Sequence, residues 1–169
     1  LSGVTVCIDA GHQENGRFVN EPIGPGLSGS TSGKGGMAQG TKTNRRESIV
    51  CLEIGMLLRD ELLRQGANVI MTREDQTTFH TNIERCEIAE AGGAQIMLRL
   101  HCNNSSNRSK RGIQVYGPLN SDYAKAVADA DTYREMGQKL LDAMKTRVGM
   151  TLANSTGMVR LNDNYVGNN

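Results

Sequence analysis

Apolar and polar positions follow two different patterns along the first hundred residues. Short runs of β-branched and other apolar side chains at residues 4–8, 67–71 and 95–100 are typical of buried strands. Residues 44–65 place apolar side chains three or four positions apart, which predicts a helix. A capping-box sequence predicts a second helix over about 81–91. This alternation indicates an α/β fold, with a mainly parallel, twisted sheet and helices on both faces.

The first predicted helix has an apolar stripe and clear signals at both ends. The stripe comprises Val50, Ile54, Leu57, Leu58 and Leu62. Asn44 is expected to cap the first turn, and Gly66 is expected to end the helix. Glu47 continues the stripe toward the N-terminus of the helix. It either faces the core with a partner, because an unpaired buried charge is prohibitive, or lies exposed where the helix dipole favours an acid.

Further elements are predicted on either side of this region. A strand is expected over residues 112–116, a long helix over about 121–147 and the start of another strand over 158–161. Residues 13–43 contain eight glycines, two prolines and six serines or threonines, and they have no periodicity. This segment is either a flexible insertion or, because it directly follows His12, a loop that faces a substrate.

Length and charge limit the classes to which the protein can belong. The 169 residues are expected to form a single domain over 1–169, which we also expect to be a monomer. A formal charge of +1 gives no reason to expect nucleic acid or a membrane surface as a partner. No apolar run approaches the roughly 20 residues of a membrane span, and we find no signal peptide in this chain.

The cysteines give little information about the compartment. Cys7, Cys51, Cys86 and Cys102 stand far apart, and without a C-x-x-C pair a zinc ribbon is not expected. Two disulfides are one interpretation. The favoured interpretation is four unpaired cysteines, because small buried thiols are ordinary in strands and helices.

Two of the three histidines close a strand. His12 follows the first strand through the small-residue turn Ala10-Gly11, and His101 follows the third strand. Right-handed crossovers place the C-terminal ends of these strands along one edge of a parallel sheet, where ligands and metals are commonly bound. The remaining histidine, His80, precedes the second helix and is interpreted as a solvated loop residue.

The two strand-ending histidines and Glu47 form a candidate metal site. Two neutral imidazoles and one carboxylate are a usual ligand set for catalytic zinc, which leaves a fourth position for water. With a single carboxylate the zinc site keeps a net positive charge, which acidifies bound water and polarises a carbonyl. The alternative is a pair of histidines, His12 and His101, that pack at strand ends and bond to the backbone.

In their order and residues, several motifs spread over nearly the whole chain resemble those of the zinc-dependent N-acetylmuramoyl-L-alanine amidases of the amidase_3 type. The motifs are Ile8-Asp9-Ala10-Gly11-His12, Glu47, Arg73-Glu74-Asp75, Arg85 and Leu100-His101-Cys102-Asn103. The resemblance implies that His12, Glu47 and His101 hold Zn²⁺. It further implies hydrolysis of the amide between N-acetylmuramic acid and L-alanine of peptidoglycan stem peptides. An extracytoplasmic protein, secreted or associated with the cell wall, is implied as well.

Two further residues are candidates for supporting roles. Asp9 either orients a ligand imidazole from the second layer around the metal or caps the turn before His12. Arg99 stands two residues before His101 and is expected to point to the same side of its strand. We expect its guanidinium to meet a substrate carboxylate.

One departure from the amidase pattern affects the expected activity. The family carries a further catalytic glutamate in a Val-Glu-x-Gly-Phe-like motif on its last strand, and residues 1–169 contain no such motif. The family's closing strand and helix are therefore expected to be absent from this chain, and its catalytic residue is unknown. A general acid or base contributes about 10²- to 10⁴-fold, so this form is expected to be weakly active or inactive.

Three other functions compete with this interpretation. A non-catalytic peptidoglycan-binding or structural module would share the same fold. A zinc peptidase of another class would use the same His₂Glu set. A flavodoxin-like nucleotide or phosphate binder is disfavoured, because the first turn reads Asp-Ala-Gly-His and lacks the glycine spacing of a phosphate-binding loop. The resemblance favours the amidase.

Overall fold

A computed structural model describes residues 1–14, 19–22, 30–32, 37–117, 130–154 and 157–160. The described elements are, in order, β1 (Thr5–Ala10), β2 (Asn20–Pro22), β3 (Ser30–Ser32), α1 (Glu47–Arg64), β4 (Asn68–Met71), α2 (Asn82–Ala91), β5 (Ile96–Leu100), β6 (Val115–Gly117), α3 (Ala130–Val148) and β7 (Met158–Arg160). The chain forms two compact units, of which the first contains β1, α1, β4, α2 and β5 and the second contains β6, α3 and β7. The organisation of 1–169 as a single domain stays a prediction.

A three-stranded parallel sheet forms the centre of the first unit. Its strand order is β4-β1-β5, so the first strand of the chain lies between β4 and β5. Ile8 is paired with Met71 on one side and with Leu98 on the other. Because all three strands run in the same direction, β1 and β5 end at the same edge of the sheet. The predicted alignment of the strand ends before His12 and His101 is therefore confirmed.

Alternate residues of β1 face different helices. A Cβ atom on Gly55 of α1 would lie 3.4 Å from Ile8 Cγ2 and 3.7 Å from Ala10 Cβ, so these side chains face α1. Asp9, between them, forms an ion pair with Arg85 of α2. Since neighbouring side chains of a strand point to opposite faces, α1 and α2 cover the two faces. The predicted α/β fold with helices on both faces of a parallel sheet is confirmed.

The predicted apolar stripe of α1 is only partly buried, because Val50, Leu58 and Leu62 are half-buried and the other two residues are exposed. Ile54 is 49% exposed and Leu57 is 72% exposed. The buried residues of the helix are instead Glu47, Ser48, Cys51 and Gly55. Small side chains on this face allow the helix backbone to lie close to β1, and the large aliphatic side chains then occupy positions farther from the sheet. A pattern of hydrophobic residues does not reveal a contact face that is built from small ones.

The two ends of α1 were predicted with different success. Gly66, with φ of +83°, follows the end of the helix as expected. Asn44 does not cap the helix, because α1 begins at Glu47 with Arg46 as its N-cap and without a side-chain cap. Asn44 instead lies in a preceding turn, where its N–H donates to the Gly40 carbonyl at 2.8 Å. The helix is therefore shorter at its N-terminus than its periodicity suggested.

The capping box of α2 is confirmed, and it is joined by a residue from the glycine-rich segment. The Thr81 side chain accepts from the Glu84 N–H, and the Glu84 carboxylate accepts from the Thr81 N–H at 2.7 Å. The buried carboxylate of Glu21 accepts from the N–H groups of Asn82 and Ile83, both at 2.9 Å. Part of the glycine-rich segment therefore anchors the N-terminus of this helix.

The segment predicted as irregular, residues 13–43, contains the short strands β2 and β3, which form a two-stranded sheet. Its residues 15–18, 23–29 and 33–36 lie outside the described part of the chain. In the second unit, β6 and β7 form a parallel pair, with Val115 opposite Met158. Gly137 of α3 lies against these two side chains, and Leu141 is fully buried.

The described part of α3 agrees with the later portion of the predicted helix, whose residues 121–129 are not described. The predicted strand over 112–116 is observed as Val115–Gly117, and Gly112, with a φ of +117°, precedes it. The predicted strand start at 158 agrees with β7. Of the helices that the structure describes, none is both long and apolar enough to span a membrane.

The assignment of the buried face of α1 is testable with two substitutions on the same helix. Gly55→Leu is expected to lower the free energy of unfolding by about 1–3 kcal/mol, because its side chain would crowd Ile8 and Met71. Leu57→Gln, at an exposed position, is expected to change it by less than about 0.5 kcal/mol. Urea unfolding measures both values. A larger loss in the Leu57 variant would mean that the predicted stripe is buried after all.

Candidate functional site

The structure brings the three predicted ligand residues together at the edge of the sheet. His12 Nε2 lies 3.2 Å from Glu47 Oε2, and His101 Nδ1 lies 3.1 Å from Glu47 Oε1. The two imidazole rings are 4.8 Å apart, centroid to centroid, and meet edge to face at 83°. One donor atom from each of the three residues falls within 4.8 Å of the others. Three segments that are distant in sequence therefore converge on one point.

Glu47 is the buried centre of this cluster. Its side chain is 3% exposed, so the alternative of an exposed first-turn glutamate is wrong. The Ala38 N–H donates to Oε2 at 2.9 Å, and the Cys102 N–H donates to Oε1 at 2.7 Å. Burial acts to raise the pKa of Glu47, but the hydrogen bonds with His101, His12 and the Ala38 N–H together hold it well below the usual range. Glu47 is therefore a carboxylate at neutral pH.

The turn before His12 brings the end of β1 close to the end of β5. The Gly11 N–H donates to the Leu100 carbonyl at 2.9 Å. A Cβ atom at Gly11 would lie 2.4 Å from that oxygen and 2.6 Å from Cε1 of His101, so only glycine fits here. His12 itself has φ of +57°, a left-handed conformation that residues with a side chain rarely adopt. The position of the first imidazole therefore depends on a strained turn.

Arg73, directly after β4, holds this turn from one side. Its Nε donates to the Ala10 carbonyl at 2.8 Å, and its Nη2 donates to the Gly11 carbonyl at 2.9 Å. The same Nη2 donates to the Ser48 carbonyl at 2.8 Å, in the first turn of α1. Burial and then the nearby charge of Arg85 lower the pKa of Arg73 to about 10, so it remains a cation at neutral pH.

Arg85 of α2 holds the same turn from the other face of the sheet. Its Nη1 donates to the Ala10 carbonyl at 3.1 Å, and its Nη2 donates to the His12 carbonyl at 3.4 Å. The guanidinium is also paired with Asp9 and bonded to the Gln13 side chain. Two buried arginines therefore bond to three successive carbonyls, those of residues 10, 11 and 12.

Asp9 is the acid that balances these cations. Its Oδ1 accepts from the Thr72 hydroxyl at 2.7 Å and from Arg85, while its Oδ2 accepts from Arg99 Nε at 2.6 Å. Burial opposes ionisation, yet the charges of Arg99 and Arg85 lower the pKa of Asp9 to about 2. These contacts connect Asp9 to His12 by way of Arg85. The predicted role of Asp9 in orienting a ligand imidazole would need a direct contact with His12 or His101. The contacts of Asp9 within the described residues do not include one.

Arg99 lies on the α2 side of the sheet, together with Asp9. Its Nη2 donates to the Asn82 side chain at 2.7 Å, in addition to the bond with Asp9. The side chain is 32% exposed. Its hydrogen bonds with Asp9 and Asn82 tie the end of β5 to α2. Contact with a substrate carboxylate stays a prediction.

Sequence reasoning did not assign Arg73, Arg85 and Thr72 to the site, although the first two appear in the motifs of the resemblance. One available signal was that Thr72 and Arg73 directly follow an apolar strand, at the same edge as His12 and His101. Another was that Arg85 stands one helical turn before the buried Ala89 on the same face of α2. His80 lies outside the cluster, with its Nδ1 atom 3.9 Å from Glu84 Oε2.

The four cysteines are all free, as expected, but only Cys7 and Cys51 are buried as the favoured interpretation required. Cys7 is buried in β1, and Cys86 is exposed on α2. Cys51 and Cys102, by contrast, lie beside Glu47, and one donor atom from each of these three residues falls within 4.8 Å of the others. Thiols therefore border the His12–Glu47–His101 cluster on its inner side.

The donor set of the cluster suits a zinc ion. Two donor atoms bound to one zinc with tetrahedral geometry and bonds of 2.0–2.2 Å lie about 3.4 Å apart. The contacts of 3.1 and 3.2 Å between the imidazoles and Glu47 are close to this spacing. Both ring nitrogens face the carboxylate, and the arrangement matches the ligand types that zinc prefers.

Comparison with known protein families and sequences gives one match. The profile of the N-acetylmuramoyl-L-alanine amidase family Amidase_3 matches residues 6–168, which is nearly the whole chain. A comparison with curated protein sequences finds no match.

Solved structures of amidases have a similar fold. The apo form of the N-acetylmuramyl-L-alanine amidase Ami1 from Mycobacterium abscessus is 19% identical, with a TM-score of 0.80 over 96% of this chain and 76% of that one. An N-acetylmuramoyl-L-alanine amidase from Clostridium difficile 630 is 21% identical, with a TM-score of 0.69 over 98% and 74%. The amidase AmiC2 of Nostoc punctiforme is 30% identical over 74% of this chain and 58% of that one, with a TM-score of 0.51.

Asp9 is expected to stabilise the fold only while its carboxylate is charged. Its pKa of about 2 in the folded state lies below the ordinary value of 3.8, so the unfolded state binds more protons between these values. We expect a contribution of about 2 kcal/mol that is complete above about pH 4 and is lost as the pH falls toward 2. Urea unfolding at a series of pH values measures this contribution.

The Asp9→Asn variant is the comparison for this experiment. It should be less stable than the wild type at pH 7, because Arg85 and Arg99 lose their anionic partner. Its stability should also fall less steeply than that of the wild type below about pH 4, because the titrating group is gone. If the free energy of unfolding fell equally with pH in the two proteins, Asp9 would not be the titrating group.

Proposed function

Because the chain belongs to the Amidase_3 family of N-acetylmuramoyl-L-alanine amidases, we propose that it is a peptidoglycan amidase whose His12, Glu47 and His101 hold a catalytic zinc ion. The observation that carries this proposal is the convergence of three donor atoms from distant segments on one point. Their types form the His₂Glu set of catalytic zinc sites.

The proposed reaction is hydrolysis of the amide that joins the lactyl group of N-acetylmuramic acid to L-alanine of the stem peptide. Zinc at this site supplies a Lewis acid that polarises a carbonyl and acidifies water. Glu47 contributes the single negative charge of the ligand set, and its N–H-bonded oxygens fix the carboxylate between the two rings. Zn²⁺ together with these three ligands would carry a net positive charge, which favours a developing oxyanion.

The exposure of the three ligands indicates the side from which substrate approaches. The His101 side chain is 23% exposed, whereas His12 is 10% and Glu47 is 3% exposed. Substrate would therefore reach the cluster from the His101 side, away from the turn that Arg73 and Arg85 hold. The buried side of the cluster excludes water from Glu47.

The proton acceptor of the reaction is unassigned. Asp9 is paired with Arg85 and Arg99, and Glu47 faces both histidines, so neither is available as a base. The further glutamate of the family pattern has no counterpart among these 169 residues. We propose that a polypeptide of these residues retains the metal site and hydrolyses its substrate slowly. Action outside the cytoplasm, on the cell wall, and a monomeric state belong to the same proposal.

The ligand assignment predicts a specific pattern of zinc contents. The wild-type chain is expected to bind one equivalent of zinc. His12→Ala, Glu47→Gln and His101→Ala are each expected to weaken zinc binding by more than the roughly 10–100-fold caused by loss of an outer-shell partner. Elemental analysis after dialysis and titration with a competing chelator measure the content and the affinity.

His80→Ala is the matched control, because His80 is the histidine outside the cluster. This variant is expected to bind zinc as the wild type does. A cluster variant that keeps stoichiometric zinc with unchanged affinity would remove that residue from the ligand set. Circular dichroism identifies any variant that has lost its fold, so that unfolding is not mistaken for loss of a ligand.

The bond assignment predicts a specific product. Zinc-loaded protein and a muramoyl peptide are expected to release a peptide with a free N-terminal L-alanine, at about 10²- to 10⁴-fold below the rate of an amidase with its full catalytic set. Mass spectrometry after long incubation identifies the product, and His12→Ala serves as the control.

The possible outcomes separate the competing functions. Cleavage between two amino acids would contradict the bond assignment and indicate a zinc peptidase. Binding of muropeptide with equal, background release by wild type and His12→Ala would favour a non-catalytic peptidoglycan-binding module. A rate as high as that of an intact amidase would contradict the prediction of a missing catalytic group.

A further inference from the structure

Two cysteines meet directly behind the proposed ligand cluster. Cys51 lies on the buried face of α1, one helical turn after Glu47, and Cys102 directly follows His101. Their sulfur atoms lie within 4.8 Å of each other. From this contact we infer that Cys51 and Cys102 form a site of reversible oxidation, at which a low-molecular-weight disulfide converts the two thiols into a protein disulfide.

The contact allows the bond to form with a small movement. A disulfide requires the two sulfur atoms to approach from their present separation to about 2.05 Å, with Cβ atoms about 3.5–4.5 Å apart. Cys51 is held in the second turn of α1, whereas Cys102 stands in the non-helical segment after β5. We expect the segment that carries Cys102 to make most of the adjustment.

The exposure of the two thiols sets the order of the reaction. Cys51 is 1% exposed, so a reagent in solution does not reach it directly. Cys102 is partly exposed and is the thiol that a reagent meets first. Cys7 is fully buried in β1, and Cys86 is exposed on α2. Cys51 and Cys102 therefore combine a short distance between two sulfur atoms with access to one of them.

The proposed reaction consists of two thiol–disulfide exchanges. In the first, the sulfur of Cys102 attacks one sulfur of a reagent such as oxidised glutathione, forms a mixed disulfide and releases one glutathione. In the second, the sulfur of Cys51 attacks the sulfur of Cys102 and releases the second glutathione. The protons of the two protein thiols pass to the two glutathione thiolates. The protein loses two electrons, which reduce one glutathione disulfide to two thiols.

The resulting bond would join the segments that carry two of the proposed ligands. The Cys102 N–H donates to Glu47 Oε1, and the Cys102 sulfur lies near the Cys51 sulfur. One residue therefore lies beside both the carboxylate and the second thiol. Oxidation would connect α1 covalently to the turn after β5. Because it depends only on the thiols, this reaction does not require the proposed zinc function to be correct.

The inference is tested on the full chain carrying Cys86→Ser, which removes the exposed thiol that would react independently. After incubation with oxidised glutathione, the protein is expected to lose two titratable thiols and the mass of two hydrogen atoms. Peptide mapping is expected to find Cys51 linked to Cys102, and dithiothreitol should restore both thiols.

Two further variants in the same background separate the two steps. Cys51→Ala is expected to stop at a mixed disulfide with one glutathione on Cys102. Cys102→Ala is expected to keep both remaining thiols, Cys7 and Cys51, unmodified in the folded protein. Three results would overturn the inference. The first is a disulfide that involves Cys7, and the second is a Cys51–Cys102 pair that stays reduced. The third is a mixed disulfide on Cys102 that persists although Cys51 is present. Peptide mapping of the Cys86→Ser protein shows whether Cys51 and Cys102 are linked, even if one of the further variants does not fold.

Discussion

The left-handed backbone at His12 is held by two buried guanidinium groups, and the position of the candidate site depends on that contact. Such a conformation costs a residue with a side chain about 1–2 kcal/mol, so it persists only where surrounding contacts offset the cost. Arg73 and Arg85 bond to the carbonyls of residues 10 to 12 and provide those contacts. Asp9 is the buried anionic partner of Arg85. A strand residue thus supports the site through the arginine beside it.

The first turn of α1 is fixed to the same network. Arg73 donates to the Gly11 carbonyl and to the Ser48 carbonyl with the same nitrogen, so one guanidinium holds both the histidine turn and the helix that carries Glu47. Small residues on the inner face of the helix allow this approach. Glu47 can then lie between two imidazoles while backbone N–H groups satisfy both of its oxygens. Rigid support of this kind is what a metal site requires, because ligand positions must be correct within fractions of an ångström.

Family membership and local geometry contribute different parts of the functional assignment. The match over residues 6–168 gives the class of enzyme. Contacts within the first unit indicate which side chains of this chain can hold a cation and which are used for structural support. They also reveal the pair Cys51 and Cys102 behind the cluster, which the motifs of the family resemblance did not single out as a pair. Two of the three segments that carry the ligand cluster also carry the thiol pair, so the geometry of one is linked to that of the other.

The sequence by itself determined the parallel α/β sheet and the convergence of His12 and His101 at one edge. It could do so because strand composition, helix periodicity and right-handed connections are local or general properties of chains. Only the tertiary structure decided that α1 buries Ser48, Cys51 and Gly55 while Leu57 faces solvent. The choice of buried face depends on how closely a helix approaches the sheet, which hydrophobicity along one segment does not encode. For the same reason the partners of Asp9 emerged only from the fold, because Thr72, Arg85 and Arg99 come from separate elements that meet around one carboxylate.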